Sequence, residues 1–248
     1  MRRAAPSPMT FGTIVVVGGG CYGSYYVRQL QRARTAGKAG WERLLVVDRD
    51  PGCRVARETG DSADVDGRAG AGIEVVVAEW PAFFAAFLAT AAAGPERHAR
   101  DAIVPSPLMP HLLFEWVVSR ARERSPTGRV LLATPDALAD IPWQKAGREG
   151  TRYVSYATWQ CPINCVEPRK CPHTGGARDW SFHESLVAGA VHTAVLRVTH
   201  RVHGVGMVDV ADVVAADAMV AEALPRAGRV RVATASHCHG AVGEIRWR

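Results

Sequence analysis

Thr13-Ile14-Val15-Val16-Val17-Gly18-Gly19-Gly20-Cys21-Tyr22-Gly23 decides how the N-terminal half is read. Residues 13–17 are β-branched and apolar throughout, the composition of a strand buried on both faces. Three glycines then end the run. Tyr25, Val27 and Leu30 mark the apolar positions of a helix expected over 21–33. Gly18, Gly20 and Gly23 therefore stand in G-x-G-x-x-G spacing at a strand-to-helix junction. Gly18 is expected to make the tight turn, Gly20 to let the backbone approach a ligand closely, and Gly23 to let the helix pack closely on the strand. A helix that starts at Cys21 and Tyr22 presents free N–H groups and the positive end of its dipole, a favourable place for a pyrophosphate.

Outward from this stretch, strands are expected at 44–47, 73–77, 101–104 and 129–132. Helices are expected at 51–59, 81–93 and 110–124, with a polar, Gly-rich loop over 61–72. The strict alternation predicts a parallel sheet with helices on both faces. The second strand ends at Asp48, 25 residues beyond Gly23. Residues 11–135 thus resemble the NAD(P)-binding Rossmann superfamily. The resemblance implies a dinucleotide held by Gly18, Gly20, Cys21, Tyr22, Gly23, Asp48 and Arg49. Asp48 would accept the adenine-ribose hydroxyls and repel a 2′-phosphate, which favours NAD, while Arg49 leaves NADP open. Proteins of this fold commonly pair, so a homodimer is one expected assembly.

The second half reads differently. Strands are expected at 153–157, 193–198 and 229–233 and an Ala- and Val-rich helix at 208–224. The expected fold is α/β: a Rossmann-like parallel sheet over 1–150, then a small α+β C-terminal domain over 151–248 that carries a Cys-rich loop.

That loop contains Cys161-Pro162-Ile163-Asn164-Cys165 and ends at Cys171-Pro172-His173, three cysteines in C-x3-C-x5-C spacing. Its prolines forbid a regular helix and favour a compact turn that can aim the thiols at one point. Ser236-His237-Cys238-His239 offers a fourth ligand. A metal centre on Cys161, Cys165, Cys171 and Cys238 is the expectation. The Cys-Pro steps favour a [4Fe-4S] cluster over zinc. Trp143, Trp159 and Trp180 flank the loop and are expected to shield it.

A second resemblance competes. Cys161, Asn164, Cys165 and Pro168 match the nucleophile segment of glyceraldehyde-3-phosphate dehydrogenases. It implies Cys161 as a nucleophile with His183, His200 or His203 as base. His111 and Glu115 stand one helical turn apart beyond the fourth strand, at the expected ligand edge of the sheet.

The 248 residues carry a formal net charge of +6, mostly scattered arginine. Without a dense basic block or interleaved aromatics this argues against nucleic acid as partner. Met1-Arg2-Arg3 precedes an apolar run too short for a signal peptide or a membrane span, so a cytoplasmic protein without membrane attachment is expected. Three functions follow as expectations. The first is an NAD(P)-binding oxidoreductase-like protein with a metal centre, acting on a small molecule or a redox-protein partner. The second is a non-enzymatic NAD(H) sensor with a structural metal, as in nucleotide-binding domains of potassium channels. The third is a thiol-dependent aldehyde dehydrogenase.

Overall fold

The computed structural model describes residues 7–60, 72–125, 130–147, 150–162, 165–187 and 191–248. Most of the expected 61–72 loop lies outside them. β1 (Met9–Val17) turns into α1 (Cys21–Thr35), followed by β2 (Ala39–Asp48), α2 (Arg54–Gly60), β3 (Ile73–Val77), α3 (Trp80–Ala93), β4 (Ala102–Val104) and α4 (Leu112–Glu123). β5 (Val130–Ala133), β6 (Trp143–Ala146) and β7 (Thr151–Ser155) come next, then α5 (Phe182–Val187), β8 (Thr193–Arg197), β9 (Thr199–His200) and β10 (Gly206–Asp209). α6 (Val210–Ala227), β11 (Arg229–Ala235) and β12 (His239–Trp247) complete the chain.

The fold is mixed α/β with two mixed sheets. The first has the order β3-β2-β1-β4-β10-β9 and the second β6-β7-β12-β11-β8, with β5 also on β12. Strands β3, β2, β1 and β4 run parallel. β10 joins β4 antiparallel, and β9 joins β10 antiparallel. In the second sheet β8 is parallel to β11, and the remaining pairings are antiparallel.

Three expectations change here. The first sheet is not wholly parallel, because β10 returns from the far half of the sequence to cover the edge of β4. The strand expected at 129–132 forms as β5 but lies antiparallel to β12 in the second sheet. The helix expected at 208–224 starts later, at Val210, because Met207 and Val208 are fully buried in β10.

Burial follows strand alternation. Ile14, Val16, Leu44 and Val46 pack with Val27 and Leu30 of α1 on one face. Val15, Val17, Leu45 and Val47 face α3, α4 and α6, through Phe84, Leu88, Val117, Val213 and Val220. That core runs on into Leu196, Val230, Val232 and Ile245 of the second sheet, so three helices lie between the sheets. Asp217 of α6, buried, accepts from Arg124 Nη1 at 2.7 Å and pins α6 to the end of α4.

Candidate functional site

The glycine turn is built by steric exclusion. Gly18 has φ of +83°, a conformation that favours glycine. A Cβ on Gly23 would stand 1.8 Å from the Gly18 carbonyl oxygen, so α1 can approach β1 only with glycine there. Gly20 contrasts with both: among the described residues, a Cβ there would meet nothing within 4 Å. It is the N-cap of α1, where no side chain of the described residues caps the helix and no acidic residue sits in the first turn. Cys21 is exposed and Tyr22 half-buried beside this open end.

Asp48 has a structural role that its place at a strand end does not reveal. Its Oδ2 accepts the Gly19 N–H at 2.6 Å and its Oδ1 the Asp50 N–H at 2.9 Å. The carboxylate thus braces the turn, and each oxygen keeps a further lone pair. Trp80 donates its indole N–H to the Val47 carbonyl at 2.8 Å and lies against Gly18. Arg49 is exposed.

A cleft of about 550 Å³ opens between the edge of the first sheet and the second sheet. Tyr26 of α1 and residues 105–107 after β4 form one wall. Trp143, residues 153–155 and residues 239–241 form another, and Cys161, Cys165, Glu167 and His200 face the same space.

Glu167 organises the floor. It adopts φ of 48° and clamps the turn before β12. Ser236 Oγ donates to its Oε1 at 2.7 Å, and the His237 and Cys238 N–H groups donate to its carboxylate at 2.9 Å each. His200 Nδ1 stands 3.5 Å from Oε2. Burial alone would raise this acid, but the bonds from His200, Ser236 and the His237 backbone prevail and hold its pKa at about 2.

His239 has a defined tautomer. The Ser155 hydroxyl donates its one proton to the Ala157 carbonyl at 2.7 Å, so its oxygen accepts from His239 Nδ1 at 2.9 Å and from the Ala157 N–H. By this hydrogen-bond count the neutral ring carries its proton on Nδ1 and leaves Nε2 as an acceptor. Burial, the largest influence, pushes the His239 pKa down and favours that neutral form.

The four candidate metal ligands are drawn from two chain segments, and among the described residues no three His, Cys, Asp or Glu side chains are arranged to hold a metal ion. All four thiols lie within electrostatic range of Arg178, whose Nη2 donates to Cys165 Sγ at 3.5 Å. Burial and then the neighbouring thiols push Cys161 up, opposite to what an activated nucleophile requires. Burial carries Cys238 up to about 12. Backbone N–H groups of Thr174 and His173 draw Cys171 down. Asn164 lies outside the described residues. Trp159 stacks on His173 at 4.7 Å and Trp180 on Tyr156 at 5.6 Å, whereas Trp143 lines the cleft. His183 sits on α5 and His203 in a short turn before β10. His111 pairs with Glu115 at 3.2 Å.

Sequence reasoning misses Glu167, Ser155, His239 as a cleft residue, and Arg178. None stands in a recognisable spacing. The only sequence signal is the positive charge of Arg178 seven residues after a cysteine.

These features define a two-sheet α/β protein with a small-molecule-sized cavity between its sheets. The chain belongs to the family described as "Uncharacterized protein, C-terminal domain", which matches residues 113–248. No curated protein and no solved structure matches the chain. Among the described residues, no helix is long and apolar enough to cross a membrane.

Proposed function

We propose that the chain is a Rossmann-type, nicotinamide-dinucleotide-binding protein with oxidoreductase-like chemistry in the inter-sheet cleft. The observation that carries this reading is Gly20: an open Cβ position at an uncapped helix N-terminus, between two glycines that sterics require. Backbone N–H groups there suit a pyrophosphate. The parallel order β3-β2-β1-β4 and the placement of Asp48 at the end of β2 support it. Asp48 favours NAD(H) over NADP(H). The cleft reaches α1 through Tyr26 and has room for the reactive end of such a ligand with a small substrate. A bound nicotinamide supplies hydride transfer. The protein supplies, at His239 Nε2, an acceptor for a substrate hydroxyl.

Calorimetric titration of the full chain tests this. NAD(H) is expected to bind more tightly than NADP(H), and Gly20→Ala to weaken binding by about tenfold or more (~1.4 kcal/mol) with unfolding unchanged. Equal affinity in the variant, or no dinucleotide binding by the unaltered chain, overturns the reading. Binding without turnover of any small alcohol or carbonyl compound moves it to an NAD(H) sensor.

A further inference from the structure

Each of the sulfurs of Cys161, Cys165, Cys171 and Cys238 has at least one N–H donor beside it. Cys165 receives the Arg178 guanidinium and Cys171 receives the backbone N–H groups of His173 and Thr174. The Trp159 indole approaches Cys161, and the Trp180 indole approaches Cys238. Yet Nε1 of Trp159, Nε1 of Trp180 and Nε of Arg178 are buried and, among the described residues, have no hydrogen-bond partner of normal geometry. Orphaned buried donors are rare and costly. Neutral thiols are weak acceptors and do not account for three of them in one place. Thiolates and inorganic sulfide are stronger acceptors, and hydrogen bonds to cluster sulfurs are a usual means of tuning iron–sulfur centres.

Once deprotonated to ligate, four thiolates beside one guanidinium require a multivalent cation to offset their charge. A single zinc ion draws its sulfurs in to about 2.3 Å. A cubane of four irons needs no such convergence, because each iron takes one cysteine.

We propose that Cys161, Cys165, Cys171 and Cys238 ligate a [4Fe-4S] cluster, with Trp159, Trp180 and Arg178 donating to its sulfurs. Ligation releases four thiol protons, and the positive charge of Arg178 offsets part of the resulting negative charge. With one thiolate on every iron, no iron is open to substrate. This assignment stands independently of the dinucleotide reading.

The test is metal and sulfide analysis of the full chain purified without oxygen, then reconstituted with ferrous iron and sulfide. About four irons and about four sulfides per chain, with a broad sulfur-to-iron absorption band, are expected. Cys171→Ser should lose at least half of the iron, and Cys21→Ser should lose none. Trp180→Phe, which keeps the ring and deletes one donor, should retain iron and shift the reduction potential negative. About one zinc per chain, or no iron after reconstitution, overturns the proposal. So does full iron content in Cys171→Ser. If Cys171→Ser does not fold, an unmoved potential in Trp180→Phe removes the donor assignment.

Discussion

The glycine turn and the cysteine loop are both irregular segments, but they are built on opposite principles. The turn at residues 18–23 is shaped by what is missing: side chains that would collide with the Gly18 carbonyl, and a cap that α1 lacks. The described residues of the cysteine loop, 159–162 and 165–180, are shaped by what is present. A buried acid, a guanidinium and stacked aromatics fix a segment with little regular structure. Steric exclusion is local and leaves a trace in spacing. A polar network is assembled from distant residues and leaves almost none.

The comparison predicts different failures in the two regions. Gly23→Val forces a side chain into backbone atoms and should cost about 3 kcal/mol or more, read as loss of the cooperative urea transition or a large fall in its midpoint. Glu167→Gln should come next. Its carboxyl is held at about 2, below the ordinary 4.5, so the charged form contributes stability above pH 4.5 that is lost as pH falls toward 2. At about 1.4 kcal/mol per unit this is on the order of 3 kcal/mol, and the variant should show a flatter acid unfolding curve. An unchanged curve would mean that Glu167 is not the clamp described. Ser155→Ala removes three hydrogen bonds at one oxygen and should cost about 1–3 kcal/mol by the same denaturation measurement. It should also release the His239 tautomer, visible in its imidazole nitrogen resonances. Gly20→Ala should alter stability by less than about 0.5 kcal/mol. A large loss there would erase the contrast between a required glycine and an open one.

Much of the first sheet is legible in the sequence because its strands are runs of β-branched and apolar residues. Ile73–Val77 is legible to the residue, and α1, α3 and α4 within two residues at each end. β12 is not. Its sequence, with two glycines and Glu244 inside, does not look like a central strand. It is one because the Gly243 position admits the Phe114 ring and because Arg231 and Arg246 neutralise the buried Glu244. The crossing of strands between sheets is equally hidden, since four-residue segments such as β5 and β10 do not carry their partners in their composition. At the site, spacing reveals the cysteines. Glu167, Arg178 and Ser155 act through contacts spanning 13 to 84 residues, beyond any local pattern.

That crossing of strands has a consequence for synthesis on the ribosome. Residues 206–209 complete the edge of a sheet whose other main strands are made within the first 104 residues, and the second sheet waits for its central strand, β12, until residue 247. An emerging N-terminal half exposes the bare edge of β4 for roughly half the time of elongation, several seconds at about 5–20 residues per second. Such an open parallel edge invites misplaced pairing. The nascent chain is therefore expected to depend on a chaperone until β12 has emerged, and to gain resistance to protease in one late step.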